Sequence, residues 1–108
     1  MKKSDNNVVS LFEQTNQGVQ KAVLTDSMKM KRGGSLSNPI VAYETWGKLS
    51  KQKDNVVLIL TGLSASSHVA SHSNNSKPGW WEGIVGPDKA IDTNKFYVIC
   101  INSLGSCF

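Results

Sequence analysis

The sequence predicts an α/β fold, and three features carry that prediction. Val56-Val57-Leu58-Ile59-Leu60 and Phe96-Tyr97-Val98-Ile99-Cys100-Ile101 are unbroken apolar runs. Strands covered on both faces of a parallel sheet have this pattern, because neither face meets water. Upstream of them, Ser27 to Arg32 alternates between apolar and polar residues, as a half-buried strand does, and Ile40 to Trp46 reads as a second strand.

The elements follow in chain order. Residues 1–27 read as a mobile lead-in. Val8, Phe12, Val19 and Ala22 lie near helical spacing, but Asn16 and Gly18 interrupt them. Ser27 to Arg32 places Met28 and Met30 on one side and Lys29 and Lys31 on the other. That is a period of two, and Gly33-Gly34 after it can supply the positive φ of a tight turn. Ile40 to Trp46 reads as the partner strand, with Pro39 at its entry. An antiparallel hairpin is therefore expected to lead into the two buried strands. Gly47 to Asn55 is a charged connection. Residues 61–94 are rich in Ser, Gly, Asn and Pro and show almost no amphipathic helix. Nothing in this sequence covers both faces of two such strands, so the expectation is a piece of a larger domain, residues 28–108 being its N-terminal part.

Composition narrows the class of function. Of the 108 residues, 39% are hydrophobic and 19% charged, an ordinary globular balance that argues against wholesale disorder. The net charge of +4 is spread from Lys2 to Lys95 with no aromatic interleaving. Nucleic acid is therefore not an expected partner. The longest apolar runs are strand-sized, well short of the roughly 20 residues of a membrane helix. Met1-Lys2-Lys3 is followed by Asp5, Asn6 and Asn7 in place of an apolar h-region, so no signal peptide is read and a cytoplasmic setting is expected. Cys100 and Cys107 are then expected to stay reduced, with Cys100 a small core residue.

Ligands in open α/β sheets sit beyond the carboxyl ends of strands. The segment there is Thr61-Gly62-Leu63-Ser64-Ala65-Ser66-Ser67-His68. Gly62 allows a sharp bend and close approach to a ligand. A turn at this place aims backbone N–H groups into the crevice, as an oxyanion hole requires. Ser64, Ser66 and Ser67 lack the Gly-x-Ser-x-Gly frame of a nucleophile elbow. His68 and His72 are four apart, but the serines and asparagine around them argue for a loop, and the sequence offers no evident third ligand, so no metal is expected. Gly79-Trp80-Trp81-Glu82-Gly83 places two large aromatic rings in a glycine-flanked loop, either as its anchor or beside a pocket. Asp92 is expected to make local turn hydrogen bonds.

In their order, Arg32-Gly33-Gly34, Val41-Ala42-Tyr43-Glu44-Thr45-Trp46-Gly47, Thr61-Gly62-Leu63-Ser64, His68, Gly79-Trp80-Trp81-Glu82-Gly83, Gly86-Pro87, Lys89-Ala90-Ile91-Asp92-Thr93 and Asn102-Ser103-Leu104-Gly105-Ser106-Cys107 resemble the N-terminal third of the homoserine/serine O-acyltransferases of the α/β-hydrolase superfamily. The resemblance covers residues 28–108 and implies the N-terminal portion of an α/β-hydrolase fold. It implies acyl transfer from succinyl- or acetyl-coenzyme A to the hydroxyl of L-serine or L-homoserine, in cysteine or methionine biosynthesis. Acyl-coenzyme A is then a co-substrate, with no bound cofactor. It also implies a homodimer for the full-length enzyme, and a Ser, Asp and His triad beyond residue 108. The Leu63 N–H is implied to be one oxyanion donor, and Gly62, Leu63, Ser64 and Ala65 to set substrate specificity. Thr61-Gly62-Leu63-Ser64-Ala65 is closest to the serine O-succinyltransferase branch. Asp88 departs from the family, which usually has Gly there; Asp tolerates positive φ better than most residues. The competing readings are a real 108-residue binding protein or pseudogene product, and a hydrolase of the same fold.

Overall fold

The structure, a computed structural model, describes residues 18–108. Its strands are β1 Gln20–Val23, β2 Met28–Lys29, β3 Ser35–Leu36, β4 Ile40–Trp46, β5 Val56–Leu60, β6 Val85–Gly86, β7 Ile91–Asp92 and β8 Tyr97–Ile101. No helix occurs among the described residues, so none there is long and apolar enough to cross a membrane.

β1, β4, β8 and β5 form one mixed sheet in that order. β5 and β8 run parallel, Val56 opposite Tyr97 and Leu60 opposite Ile101. β4 pairs antiparallel with β8 and, on its other edge, with β1. The parallel pair is the feature that the two apolar runs predict.

Two expectations are corrected. The lead-in was expected to reach residue 27, but Gln20 to Val23 already belong to the sheet, registered against Tyr43 to Ile40. This edge strand is held by its backbone ladder, and only Ala22 is more than superficially covered, so hydrophobic periodicity has nothing to report there. The helix-like spacing from Val8 to Phe12 lies outside the described residues. The expected pairing of 27–32 with 40–46 also fails. Met28–Lys29 pairs instead with Ser35–Leu36 in a small ribbon of its own. Its turn is the expected one: Gly33 and Gly34 have φ of 103° and 80°, and the Gly33 N–H donates to the Met30 carbonyl.

Cover is one-sided. Val57 and Ile59 of β5 lie beside Val98 and Cys100 of β8, which lie beside Trp46 and Glu44 of β4. These six share one face. The loop between β5 and β8 folds over it, burying Val69, Ala70 and Val85, with Ile84 and Ile91 packed alongside. Trp46 fastens the loop to the sheet: its indole N–H reaches the carbonyls of Ala70 and Ser71, both at 3.2 Å. The opposite face of β5 is bare, Leu58 being 57% and Leu60 68% exposed. The apolar run thus records a need for cover that these residues leave unmet.

Within the covering loop, Asp88 has φ of 60°, the left-handed value that makes glycine the easier residue. Its N–H and the Asn94 N–H both donate to Asp92 Oδ1, at 3.1 and 2.9 Å, the local turn bonds expected of Asp92. Asp88→Ala is expected to lower stability by about 1 kcal/mol, whereas Asp88→Gly stays within about 0.5 kcal/mol of the parent. Urea unfolding of the protein carrying this sequence measures both, and equal midpoints for Ala and Gly would refute the strain.

Candidate functional site at the ends of β5 and β8

The carboxyl ends of the parallel pair converge, because parallel strands end on the same side of a sheet. Thr61 Oγ1 and Ser103 Oγ are 3.2 Å apart there. Leu60, Thr61, Ile101, Asn102, Ser103 and Leu104 contribute to a mainly apolar cavity of about 410 Å³.

Gly62, Leu63 and Ser64 project into solvent and Ala65 is half-buried. The Leu63 side chain is fully exposed. None of these four makes a hydrogen bond with other described residues. Their N–H groups are therefore available to a ligand, as an oxyanion donor must be. Gly62 behaves differently from expectation. Its φ is not in the left-handed region, and a side chain there would meet nothing within 4 Å. Among the described residues, the bend does not demand glycine.

The span 62–65 makes no hydrogen bonds with other described residues, but the residues after it are firmly held. The Ser67 N–H donates to Asn102 Oδ1 at 2.6 Å, tying this loop to the end of β8. The Trp80 indole N–H donates to the Ser66 carbonyl at 2.8 Å. Trp80 stacks on Trp81 with centroids 5.4 Å apart, each ring 42% exposed. Of the two readings of the tryptophans, the structure supports the anchor: one indole pins the loop after β5, and neither sits beneath the cavity.

The strongest feature is Glu44, on the covered face of β4 and 1% exposed. Its Oε2 accepts from the Ser67 hydroxyl at 2.9 Å. Its Oε1 lies 2.9 Å from His68 Nδ1 and 2.8 Å from His72 Nε2. A buried carboxylate is costly unless its lone pairs are filled, and here three donors fill them. Sequence reading found His68 and His72 but no third group; the fold brings Glu44, 24 residues before His68, to both rings. Together they offer three atoms within 4.8 Å of one another, the spacing of a metal site. The surroundings of His72 argue for hydrogen bonds instead. The Asn74 N–H donates to His72 Nδ1 at 3.2 Å, which places the His72 proton on Nε2, facing Glu44. A ligating histidine has the reverse arrangement, a bare nitrogen inward and its N–H donated outward.

Cys100 sits beside Glu44, fully buried. Burial, and then the Glu44 charge, push its thiol up to about 12. It is an inert core residue, as expected. Cys107 is exposed, and both cysteines are free.

Glu82 organises the far side of the loop. It accepts from the Ser71 hydroxyl, the Gly79 N–H at 2.8 Å and the Ser71 N–H at 2.7 Å. These bonds, the Ser71 hydroxyl first, hold its carboxyl down at about 2 against an ordinary 4.5. A depressed carboxylate stabilises the fold above its unfolded value and loses that contribution as pH falls toward the folded one. Stability is expected to decline between about pH 4.5 and pH 2 in the parent. Glu82→Gln should be less stable at neutral pH and lose part of that acid dependence. Thermal melts across pH 2–7 check this, and parallel curves for the two proteins would contradict it.

No family model matches the chain. Over 84 residues it is 62% identical to the Serine O-succinyltransferase of Frateuria aurantia, a match covering 77% of this chain and 23% of that protein. It thus spans about a quarter of the length of the curated relatives it matches. The homoserine O-acetyltransferase structure from Bacillus anthracis superposes with a TM-score of 0.69 at 36% identity, over 80% of this chain and 23% of that one. Esterase E22 superposes with a TM-score of 0.67 at 40% identity, over 79% of this chain and 24% of that one. The last match is a likeness to a hydrolase, the class of one competing reading. Over more than three quarters of its length the chain is thus similar in sequence to serine O-succinyltransferases, and it shares the α/β-hydrolase fold of the homoserine O-acetyltransferase and esterase structures it superposes on.

Proposed function

We propose that the protein carrying this sequence transfers an acyl group, preferentially succinyl, from acyl-coenzyme A to the hydroxyl of L-serine. The observation that carries this reading is the 62% identity with a Serine O-succinyltransferase across residues that include the loop after β5. Acyl-coenzyme A is a co-substrate in this reading, with no resident cofactor. The acceptor hydroxyl attacks an acyl carbonyl, whose oxygen gains negative charge in the tetrahedral intermediate. An N–H held in place before the reaction stabilises that charge. The Leu63 N–H lies just beyond the carboxyl end of β5 and has no partner among the described residues, which supports this role for it. Gly62, Ser64 and Ala65 shape the same rim and contribute to the choice of acceptor. That choice between serine and homoserine rests on one methylene, worth about 1–3 kcal/mol. The wider expectations accompany this reading: a homodimeric enzyme acting in the cytoplasm, in cysteine biosynthesis.

Two alternatives have specific support. The homoserine O-acetyltransferase likeness favours homoserine and an acetyl donor. The Esterase E22 likeness favours water as the acceptor. Product analysis with serine, homoserine or neither, against succinyl- and acetyl-coenzyme A, separates all three. O-Succinylserine is the expected main product; acyl-coenzyme A consumption unchanged by either amino acid would contradict the proposal. The 108-residue chain alone, which holds no Gly-x-Ser-x-Gly frame, is expected to give no product.

The loop's role has its own test. Leu63→Pro deletes the N–H and is expected to lower kcat by about 10²–10³-fold. Leu63→Ala keeps the N–H and should retain kcat within about threefold, because the side chain is fully exposed. Equal losses in the two variants would count against the backbone donor.

A further inference from the structure

His68 faces an acceptor on each ring nitrogen. Nδ1 lies 2.9 Å from Glu44 Oε1, and Nε2 lies 2.6 Å from the Lys77 carbonyl oxygen. A neutral imidazole has one N–H and can satisfy only one of them; the imidazolium satisfies both. Ser67 and His72 also donate to Glu44, so the proton shared along the Glu44–His68 contact belongs on Nδ1. We propose that His68 is a positioning residue: as an imidazolium bridging Glu44 of β4 and the Lys77 carbonyl, it locks the downstream end of the loop whose Leu63 N–H serves the acyl-transfer site. The inference rests on the reading of that loop given above.

The placement explains why one charge matters to an exposed segment. Residues 62–65 hang between the end of β5 at Leu60 and the anchored run Ser66–Ser67–His68. His68 itself reinforces that run, its N–H donating to Ser66 Oγ at 3.2 Å. Three elements meet at its ring: β4 through Glu44, the neighbouring turn through His72, whose ring is 5.9 Å away, and the 77–82 segment through Lys77 and the charge of Glu82. Burial lowers the tendency of His68 to hold a proton, but the Glu44 bond, the Lys77 carbonyl and the Glu44 and Glu82 charges outweigh it, so its pKa lies above 6.5. A raised histidine contributes fully below its unfolded value, and the contribution disappears as pH rises through the folded one. The clamp is therefore closed in mild acid and opens toward alkaline pH.

The test uses the protein carrying this sequence and does not depend on turnover. Nitrogen-15 chemical shifts of the His68 ring, followed across pH, are expected to show the doubly protonated form persisting above pH 6.5. Amide exchange of Ser67, His68 and Val69, whose N–H groups are bonded to Asn102 Oδ1, Ser66 Oγ and the Ser67 carbonyl, corrected for the intrinsic base-catalysed rate, should accelerate by about tenfold or more as that proton leaves. His68→Gln should show the faster exchange at every pH, while the β8 amides of Val98 to Cys100 keep their protection. A neutral single tautomer of His68 at pH 6, or parental exchange in His68→Gln, would overturn the proposal. Should His68→Gln not fold, the titration of the parent decides alone. In the activity assay, the expected signature is a His68-dependent alkaline fall in kcat with little change in KM. Loss of the ring signature with acyl transfer intact removes the clamp only; an intact clamp with no acyl transfer removes the functional reading only.

Discussion

A single buried carboxylate holds this segment in its shape. Glu44 projects from β4 into the covered face of the sheet, where it is 1% exposed and accepts from Ser67, His68 and His72. An ionisable group at that depth is tolerated only with its partners in place. The loop that supplies them must return to the sheet after β5. Ser67 also bonds Asn102 at the end of β8, so one network fixes β4, the loop after β5 and the loop after β8. Those two loops meet where a ligand of an α/β sheet is bound. The polar cluster is in this sense the frame of the candidate site, beside which lies the exposed span Gly62 to Ala65.

The rest of the covered face serves the same geometry by different means. Trp46 packs edge-on against His72, with ring centroids 5.7 Å apart, and its indole N–H takes two loop carbonyls. Gly79 lets the Trp80–Trp81 segment approach the 69–70 backbone: a side chain there would lie 2.1 Å from the Val69 carbonyl carbon. Dispersion, indole hydrogen bonds and the Glu44 network thus act on one loop from three directions. The bare apolar face of β5 has no such cover within the chain. The relatives and solved structures it matches are about four times as long.

What sequence reveals here follows from which forces leave a local pattern. β5 and β8 were legible because consecutive apolar residues leave neither face polar, the pattern of strands suited to cover on both sides, although among the described residues only one face of β5 is covered. The Gly33-Gly34 turn was legible because backbone sterics discriminate by residue type; Asp88, noted only as a departure from the family's glycine, does have a positive φ. β1 was not legible: Gln20-Lys21-Ala22-Val23 joins the sheet through main-chain bonds that any side chain allows. The partner of β4 was misassigned because proximity in sequence suggested residues 27–32, whereas β4 needs two neighbours and finds them in β1 and β8. The loop after β5 was singled out by its place beyond a strand. Its supports were not, since Glu44 sits 24 and 28 residues from the two histidines it joins. Alternation along β4 puts Glu44 on the same face as Trp46. An acidic residue on a face otherwise carrying tryptophan was the available signal that a buried charge needed partners.

The central claim is that Glu44 and His68 act on one another as a charged pair and do not merely share a neighbourhood. A double-mutant cycle measures this directly, from the unfolding free energies at pH 6 of the parent, Glu44→Gln, His68→Gln and the double variant, all in the protein carrying this sequence. The predicted result is a coupling of about 1.5–3 kcal/mol, the range for hydrogen bonds to charged groups. Single-variant losses that add to within about 0.5 kcal/mol would contradict it.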